Sequence, residues 1–294
     1  MMLPSGFHFS QSNLQDYLDC QRRFQLRHLH HVDWPALETQ PASDNENFLR
    51  LGAEFHYLIR QHITGVPVER LSASVKRGSQ SEQDDLARWW NNYLTALDPG
   101  EDLAGRLFPS APVTARLLPE YSLSLPLGDY RLIAKFDLLI LYSTGALTII
   151  DWKTNHRRPQ RRWLQERTQT RIYLYTLAKS GMHKGEIGNP LPEQIEMLYW
   201  FANFPTEPVS IVYSAEQMVQ DETYLVDLID QIKHKDEKGF PLTHDEKQCQ
   251  FCIYRSLCAR GTTAGEFTAT ENVENNALIE DHMINMSEID EIEY

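Results

Sequence analysis

The chain has 294 residues, 41% of them hydrophobic, with a formal net charge of −13 and four cysteines. That length can bury a sizeable core as one elaborated domain or two small ones. No apolar stretch approaches the length of a transmembrane helix, and the opening Met1–His8 lacks the charged and apolar regions of a signal peptide, so a cytoplasmic protein without membrane contact is expected.

Phe9 to Leu29 reads as a helix, capped by Ser10 or Ser12, with Leu14, Tyr17, Leu18, Phe24 and Leu26 as apolar positions. Residues 33–47, with Pro35, Pro41, Ser43, Asp44 and Asn45, read as a loop. Helices follow over Phe48–Ile63 and Ser81–Leu97, the second stopping at Asp98-Pro99-Gly100. The pattern then changes to strands at Val113–Leu125, Tyr130–Tyr142 and Ala146–Trp152, rich in β-branched and large apolar residues. A helix over Arg161–Ser180, strands at Gln194–Ala202 and Val209–Tyr213, and a helix over Ala215–Lys235 complete the series. The order predicts a mixed α/β protein with a central sheet. A helical region, 1–112, precedes a core at 113–240, a cysteine-bearing segment at 241–261 and a tail at 262–294 that composition predicts to be disordered.

Charge is unevenly placed. From Glu266 to Tyr294 there are nine acids and no Lys or Arg, so the body alone carries −4. Lys153, Arg157, Arg158, Arg161, Arg162, Arg167 and Arg171 fall within nineteen residues, opposed only by Glu166. Arg22, Arg23 and Arg27 form a second cluster, beside His28, His30 and His31. Such clusters are ordinarily solvated helix faces. The larger one directly follows a constellation that suggests phosphate chemistry.

The turn residues Ser143-Thr144-Gly145 predict a hairpin centred on Thr144. Asp137 lies seven residues before that centre and Asp151 seven after, so an unslipped hairpin sets them opposite each other. Like charges so placed repel unless a cation lies between them. Alternation puts Lys153 on the face of Asp151. Two converging carboxylates with an adjacent amine suit metal-assisted phosphodiester hydrolysis. The oxygens hold Mg²⁺ or Mn²⁺, the Trp152 backbone carbonyl can add a ligand, and the lysine positions water or stabilises developing charge. The structural alternative is a surface salt-bridge ladder in which Lys135 mirrors Lys153. The apolar runs Leu138–Leu141 and Leu147–Ile150 read as strands buried on both faces, which weighs against it.

Cys249, Cys252 and Cys258 form C-x2-C-x5-C, with Cys20 far away in sequence. Four thiols in a cytosolic protein suggest metal ligands over disulfides, and spacing leaves zinc and a 4Fe–4S cluster equally open.

In this ordered set the sequence resembles the PD-(D/E)XK nuclease superfamily, and within it the RecB-type exonucleases. The resembling parts are Ser10-x-Ser12-x-Leu14-x-x-Tyr17-x-x-Cys20-x-x-Arg23-Phe24, then Gly52-x-x-x-His56, Asp137, Asp151-Trp152-Lys153 and Gln169-x-x-x-Tyr173, spanning roughly residues 8–258. Ala134 stands where the family has a glycine, and Gln21 where it often has a proline; neither change removes a functional group. The resemblance implies a restriction-endonuclease-like mixed central sheet flanked by helices. It implies that His56 joins Asp137 and Asp151 as a metal ligand, and that Gln169 and Tyr173 touch substrate or orient the lysine. It associates Glu120 with an acidic residue of the first strand. The one-plus-three cysteines resemble the iron–sulfur staple of AddB-type and CRISPR-adaptation nucleases, which favours 4Fe–4S over zinc.

The function so implied is metal-dependent exonucleolysis of single-stranded or frayed DNA ends. Arg22, Arg23 and the run from Arg157, Arg158, Arg161 and Arg162 to Arg171 would follow the phosphates, and Trp152 and Trp163 would stack on bases. No G-x-x-x-x-G-K-[ST] occurs, so helicase activity would come from a partner, and CRISPR-adaptation proteins are the other partner class implied. The alternative is a nuclease-like scaffold that binds DNA without cleaving it.

Overall fold

The computed structural model describes residues 3–4, 6–33, 42–75, 80–180, 190–236, 239–250 and 252–261. The acidic tail at 262–294 lies outside them. Strand β1 (His8–Ser10) leads into α1 (Gln11–Asp19), α2 (Gln21–Phe24) and a π-helical turn over Gln25–Leu29. Helices α3 (Ala42–Ile63), α4 (Val68–Val75), α5 (Gln80–Thr95) and α6 (Asp102–Leu107) follow. Then come β2 (Ala115–Leu127), β3 (Tyr130–Tyr142), β4 (Leu147–Lys153), α7 (Arg161–Glu166) and α8 (Thr168–Ser180). Strands β5 (Ile195–Phe201) and β6 (Phe204–Val212) and helix α9 (Ala215–Lys233) close the core. Among the described residues no helix is long and apolar enough to cross a membrane.

Six strands form one mixed sheet in the order β1-β3-β4-β5-β6, with β2 also on β3. Strand β3 is the hub. Antiparallel β2 follows its whole length, while β1, parallel at Arg131–Ile133, and β4, antiparallel at Leu138–Leu141, share its other edge. Between those two partners Ala134–Asp137 are left for other contacts.

Helices cover both faces. Leu14 and Tyr17 of α1, Ile172 and Leu177 of α8, and Leu225 and Ile229 of α9 pack with Leu132, Phe136, Leu139 and Ile149 on one face. Phe55 and Ile59 of α3 and Trp89, Trp90 and Tyr93 of α5 pack with Leu138, Ile140, Ile150 and Trp200 on the other. The face that β3 presents therefore switches between Phe136 and Leu138. Opposite this point Glu120 has a φ of 53°, left-handed backbone that non-glycine residues seldom adopt, and the β2–β3 pairing skips Glu120 and Asp137. Regular alternation cannot reproduce that switch.

Four expectations are corrected. The helix predicted over Phe9–Leu29 begins with a strand and breaks at Cys20, whose φ of −158° and ψ of 105° are extended. Helix α3 starts at Ala42, within the predicted loop, since Ser43, Asp44 and Asn45 suit a first helical turn as well as a loop. Helices α4 and α6, too short for a clear periodic signal, were not anticipated. The helix over Arg161–Ser180 is interrupted at Arg167, whose ψ is 144°.

Gly52 sets how closely α3 lies on β4: a Cβ there would stand 3.3 Å from Thr154 Oγ1. Replacing Gly52 with Val should therefore destabilise the protein by about 1–3 kcal/mol through overpacking. Thermal melting of Gly52→Val alone and with Thr154→Ala checks this: the second change should recover part of the loss.

Candidate active site and cysteine cluster

The β3–β4 hairpin has the predicted register, Leu138 facing Ile150 through Leu141 facing Leu147. One step further would pair Asp137 with Asp151, and there the ladder ends. The backbone N–H of Trp152 turns to Asp137 instead, donating to Oδ2 at 2.9 Å. His56 of α3 approaches the same oxygen, Nδ1 at 3.4 Å. Burial alone would raise the Asp137 pKa, but His56, the Trp152 N–H and Lys153 outweigh it and hold the carboxyl below the ordinary range.

Asp151 and Lys153, each 3% exposed, point toward α8. Asp151 Oδ2 lies 3.1 Å from Lys153 Nζ, and Gln169 Nε2 donates to Oδ1 at 2.7 Å. Behind Gln169, Tyr199 hydrogen-bonds Thr170 at 2.7 Å and lies 6.0 Å beneath the Lys153 ammonium. Burial raises the Tyr199 pKa, so the phenol stays protonated. Tyr173, one turn after Gln169, stacks edge-on against Phe136 at 5.0 Å, which fixes the strand just before Asp137. The structure thus brings together His56, Asp137, Asp151, Lys153 and Gln169, with Tyr173 buttressing their strand.

Lys135 pairs with Glu120 at 3.0 Å, and Asp151 and Lys153 are buried. Trp152 presents its N–H to the site, and its ring is buried edge-on against Tyr93 at 5.9 Å and Trp200 at 5.8 Å. It cannot stack on a base.

Among the described residues no three His, Cys, Asp or Glu side chains close around one metal position. The donor chemistry nevertheless suits a hard divalent cation, because the buried Asp151, the largely shielded Asp137 and the His56 imidazole lie together at the end of the β3–β4 ladder, where like charges repel.

Asn203, which gives no signal in the sequence, fixes the backbone beyond the lysine. Its Nδ2 donates to the Thr154 carbonyl at 2.7 Å and the Asn155 carbonyl at 3.0 Å, and its Oδ1 accepts from Trp89 Nε1 at 3.0 Å.

The basic residues divide by burial. Arg157, Arg158, Arg161 and Arg162 are exposed after β4, with Arg158 held on the Glu207 carbonyl at 2.8 Å. Arg167 is buried, 5.0 Å from the Trp163 ring, and Arg171 pairs with buried Asp221 at 2.8 Å, so these two serve the fold. Arg23 is also buried, Nε at 2.6 Å from Asp16 and Nη2 at 2.6 Å from Asp19, so its guanidinium is engaged within the fold. Arg22 is partly exposed and donates through Nη1 to the Gln25 side chain.

The break at Cys20 leaves that thiol near enough to the C-terminal cysteines to act on them electrostatically. Burial, followed by the neighbouring thiols, raises the pKa of Cys249 and Cys258; for Cys252 the order is burial and then Arg23, which opposes it. All four cysteines are free and partly buried. The segment docks through Phe240 stacked on Phe24 at 6.0 Å, the Arg22 N–H on the Pro241 carbonyl at 3.1 Å, and Tyr254 Oη on the Val32 carbonyl at 3.0 Å. Beneath it, fully buried Asp16 accepts from Arg23, from Arg27 at 3.2 Å and from His28 at 2.7 Å. Asp16→Ala would strand the two guanidiniums and should cost about 3–5 kcal/mol. Chemical denaturation measures the loss, and Asp16→Asn should recover only a small part of it.

A family model described as the PD-(D/E)XK nuclease superfamily matches residues 8–259. Among solved structures, the chain is similar to one described as a candidate exonuclease from Eubacterium rectale, at 9% identity over 76% of this chain and 79% of that one, with a TM-score of 0.47. A second, described as SSO0001, is 12% identical over 88% of each chain, with a TM-score of 0.38. No curated protein sequence matches the chain.

Proposed function

The chain belongs to the PD-(D/E)XK nuclease superfamily, with its mixed central sheet flanked by helices, and from that premise we propose that it is an active metal-dependent deoxyribonuclease acting exonucleolytically on single-stranded or frayed DNA ends. The observation that carries the reading is the burial of Asp151 and Lys153 together beside a largely shielded Asp137, with His56 on Asp137 and Gln169 on Asp151. Burying such charges costs several kcal/mol, a cost that a catalytic role explains and a solvated ladder does not.

Members of the superfamily generally use divalent metals such as Mg²⁺, and Asp137, Asp151 and His56 would hold Mg²⁺ or Mn²⁺ here. Bound there, the ion neutralises phosphate charge and lowers the pKa of water. The chain's own part is positional. The Trp152 N–H and His56 keep Asp137 ionised and aimed; Gln169 fixes the rotamer of Asp151. The Lys153 ammonium, held by Asp151 above the Tyr199 ring, orients the attacking water or stabilises charge developing on the phosphoryl oxygens. Exposed Arg157, Arg158, Arg161 and Arg162, with Arg22, lead the strand to this point. Release of nucleotides from an end-labelled single strand in Mg²⁺ or Mn²⁺ should be lost in Asp151→Ala and reduced by about 10–100-fold in Gln169→Ala. Equal products from wild type and Asp151→Ala would instead identify a contaminant. No products from wild type would favour a non-cleaving scaffold.

Cys20, Cys252 and Cys258 lie near enough to Cys249 to act on it electrostatically, and we read the four thiols, which do not close around one metal position here, as the ligands of a 4Fe–4S cluster that staples the C-terminal segment to the first helix. Anaerobically purified protein should be brown and contain iron. Colourless, zinc-containing protein would assign the site to zinc instead. The resemblance to RecB-type nucleases points to work in recombination, repair or CRISPR adaptation, beside a helicase or adaptation proteins.

A further inference from the structure

Arg88 of α5 is exposed, yet its side chain is pinned. Nε and Nη2 donate to Asn203 Oδ1 at 3.3 and 3.0 Å, and Nη2 also pairs with Asp85. Among the described residues nothing engages Nη1. Fixing a long surface side chain costs rotamer entropy that an exposed ion pair seldom repays. Here the holding group is Asn203, whose amide also clamps the Thr154 and Asn155 carbonyls just beyond Lys153.

His156 stands beside this arginine. Its half-buried imidazole lies on the Phe48 ring, centroids 4.8 Å apart and planes 34° apart. Phe48 in turn meets Trp89, the neighbour of Arg88, edge-on at 5.6 Å. Phe48 and Asn203 therefore bridge the same two pieces of chain, Arg88–Trp89 and residues 154–156. Neither ring nitrogen of His156 has a hydrogen-bond partner among the described residues, and neither is sealed from solvent. Burial holds the His156 pKa below its ordinary value, with Asp85 opposing and Arg88 reinforcing that effect. The imidazole is thus neutral at neutral pH and has one N–H to give.

Helix α3 relates this pair to the catalytic residues. Phe48, Gly52 and His56 are four apart and share one face of the helix. They lie against His156, Thr154 and Asp137 in that order. The end of β4 therefore runs alongside α3, and His156 sits about 12 Å along the helix from His56. Exposed Arg157 and Arg158 follow it directly.

We propose that Arg88 and His156 form a subsite for a phosphodiester group flanking the scissile one, with Arg88 Nη1 and a His156 ring N–H donating to its non-bridging oxygens. The inference rests on the nuclease reading above. Arginine supplies the charge and the imidazole supplies direction, and both side chains are ordered before substrate arrives. Neither touches a reacting atom, so the subsite contributes to binding and reads the DNA backbone without regard to base.

The test measures binding of labelled oligothymidylates of increasing length without added metal, beside metal-supplemented cleavage and thermal melting. Arg88→Gln and His156→Phe, the second keeping a ring on Phe48, should each weaken binding of long oligonucleotides about 3–10-fold. The shortest oligonucleotides should bind as they do to wild type, and KM should rise while kcat stays within about twofold. Arg88→Gln should also lower the salt slope by about 0.7, one phosphate contact on a single strand. Asp85→Asn removes the competing carboxylate and should tighten long-oligonucleotide binding about 2–5-fold, a gain that misfolding cannot mimic. If His156→Phe melts early, the two surface variants decide. Unchanged affinity at every length would overturn the subsite, as would losses equal at all lengths. A wild type that binds DNA without cleaving it, with these length effects present, would sink the catalytic reading and leave the subsite standing. A wild type that cleaves, with no length effect in the variants, would sink the subsite alone.

Discussion

The site depends on the place where β3 stops pairing with β4. After Leu138 has faced Ile150, the next residues are two aspartates, and a regular ladder would press their carboxylates together. The strands part instead. The Trp152 N–H, freed from β3, is taken by Asp137, and Asp151 turns to Gln169 and Lys153. Glu120 accommodates the parting from the other side with left-handed backbone, and β3 exchanges the core face it serves. Each carboxylate is thereby given to a different helix, Asp137 to α3 through His56 and Asp151 to α8 through Gln169. A sheet covered on both faces can hold both helices at that height.

The second organising element is ionic and lies at the other end of the chain path. Asp16 gathers Arg23, Arg27 and His28 where α1 breaks, and the break presents Cys20 to the cysteines of the C-terminal segment. Arg23 serves both structures, being paired to Asp16 and Asp19 and electrostatically coupled to Cys252. A residue that looks like part of a DNA-binding surface when counted among neighbouring bases is here an internal counterion. Among the bases that follow β4 the same sorting occurs: four arginines face solvent, whereas Arg167 and Arg171 brace helices.

The hairpin, its register and the face shared by Asp151 and Lys153 were legible in the sequence, because strand alternation has a period of two and the Ser143-Thr144-Gly145 turn leaves one unslipped pairing. Gln169 and Tyr173 were legible as a helical pair, although they act on different parts of the site, one on Asp151 and the other on Phe136. His56 gave no signal beyond its place in an ordered set of motifs, since a single helical histidine has no periodicity to mark it.

What the sequence determined by itself is therefore local: a mixed α/β element order, two aspartates set equidistant from a turn, a lysine two residues on, and a helix face four residues wide. The break at Cys20, the switch of faces at Asp137, the burial of Arg23 and the clamp of Asn203 were decided by tertiary structure. Asn203 reaches Trp89 from 114 positions away in the chain, and Tyr254 reaches Val32 across 222. Helix and strand periods report only on neighbours within a few residues. Whether a charge is sequestered or offered to solvent depends on what distant segments bring to it, and that is known only once the chain has folded.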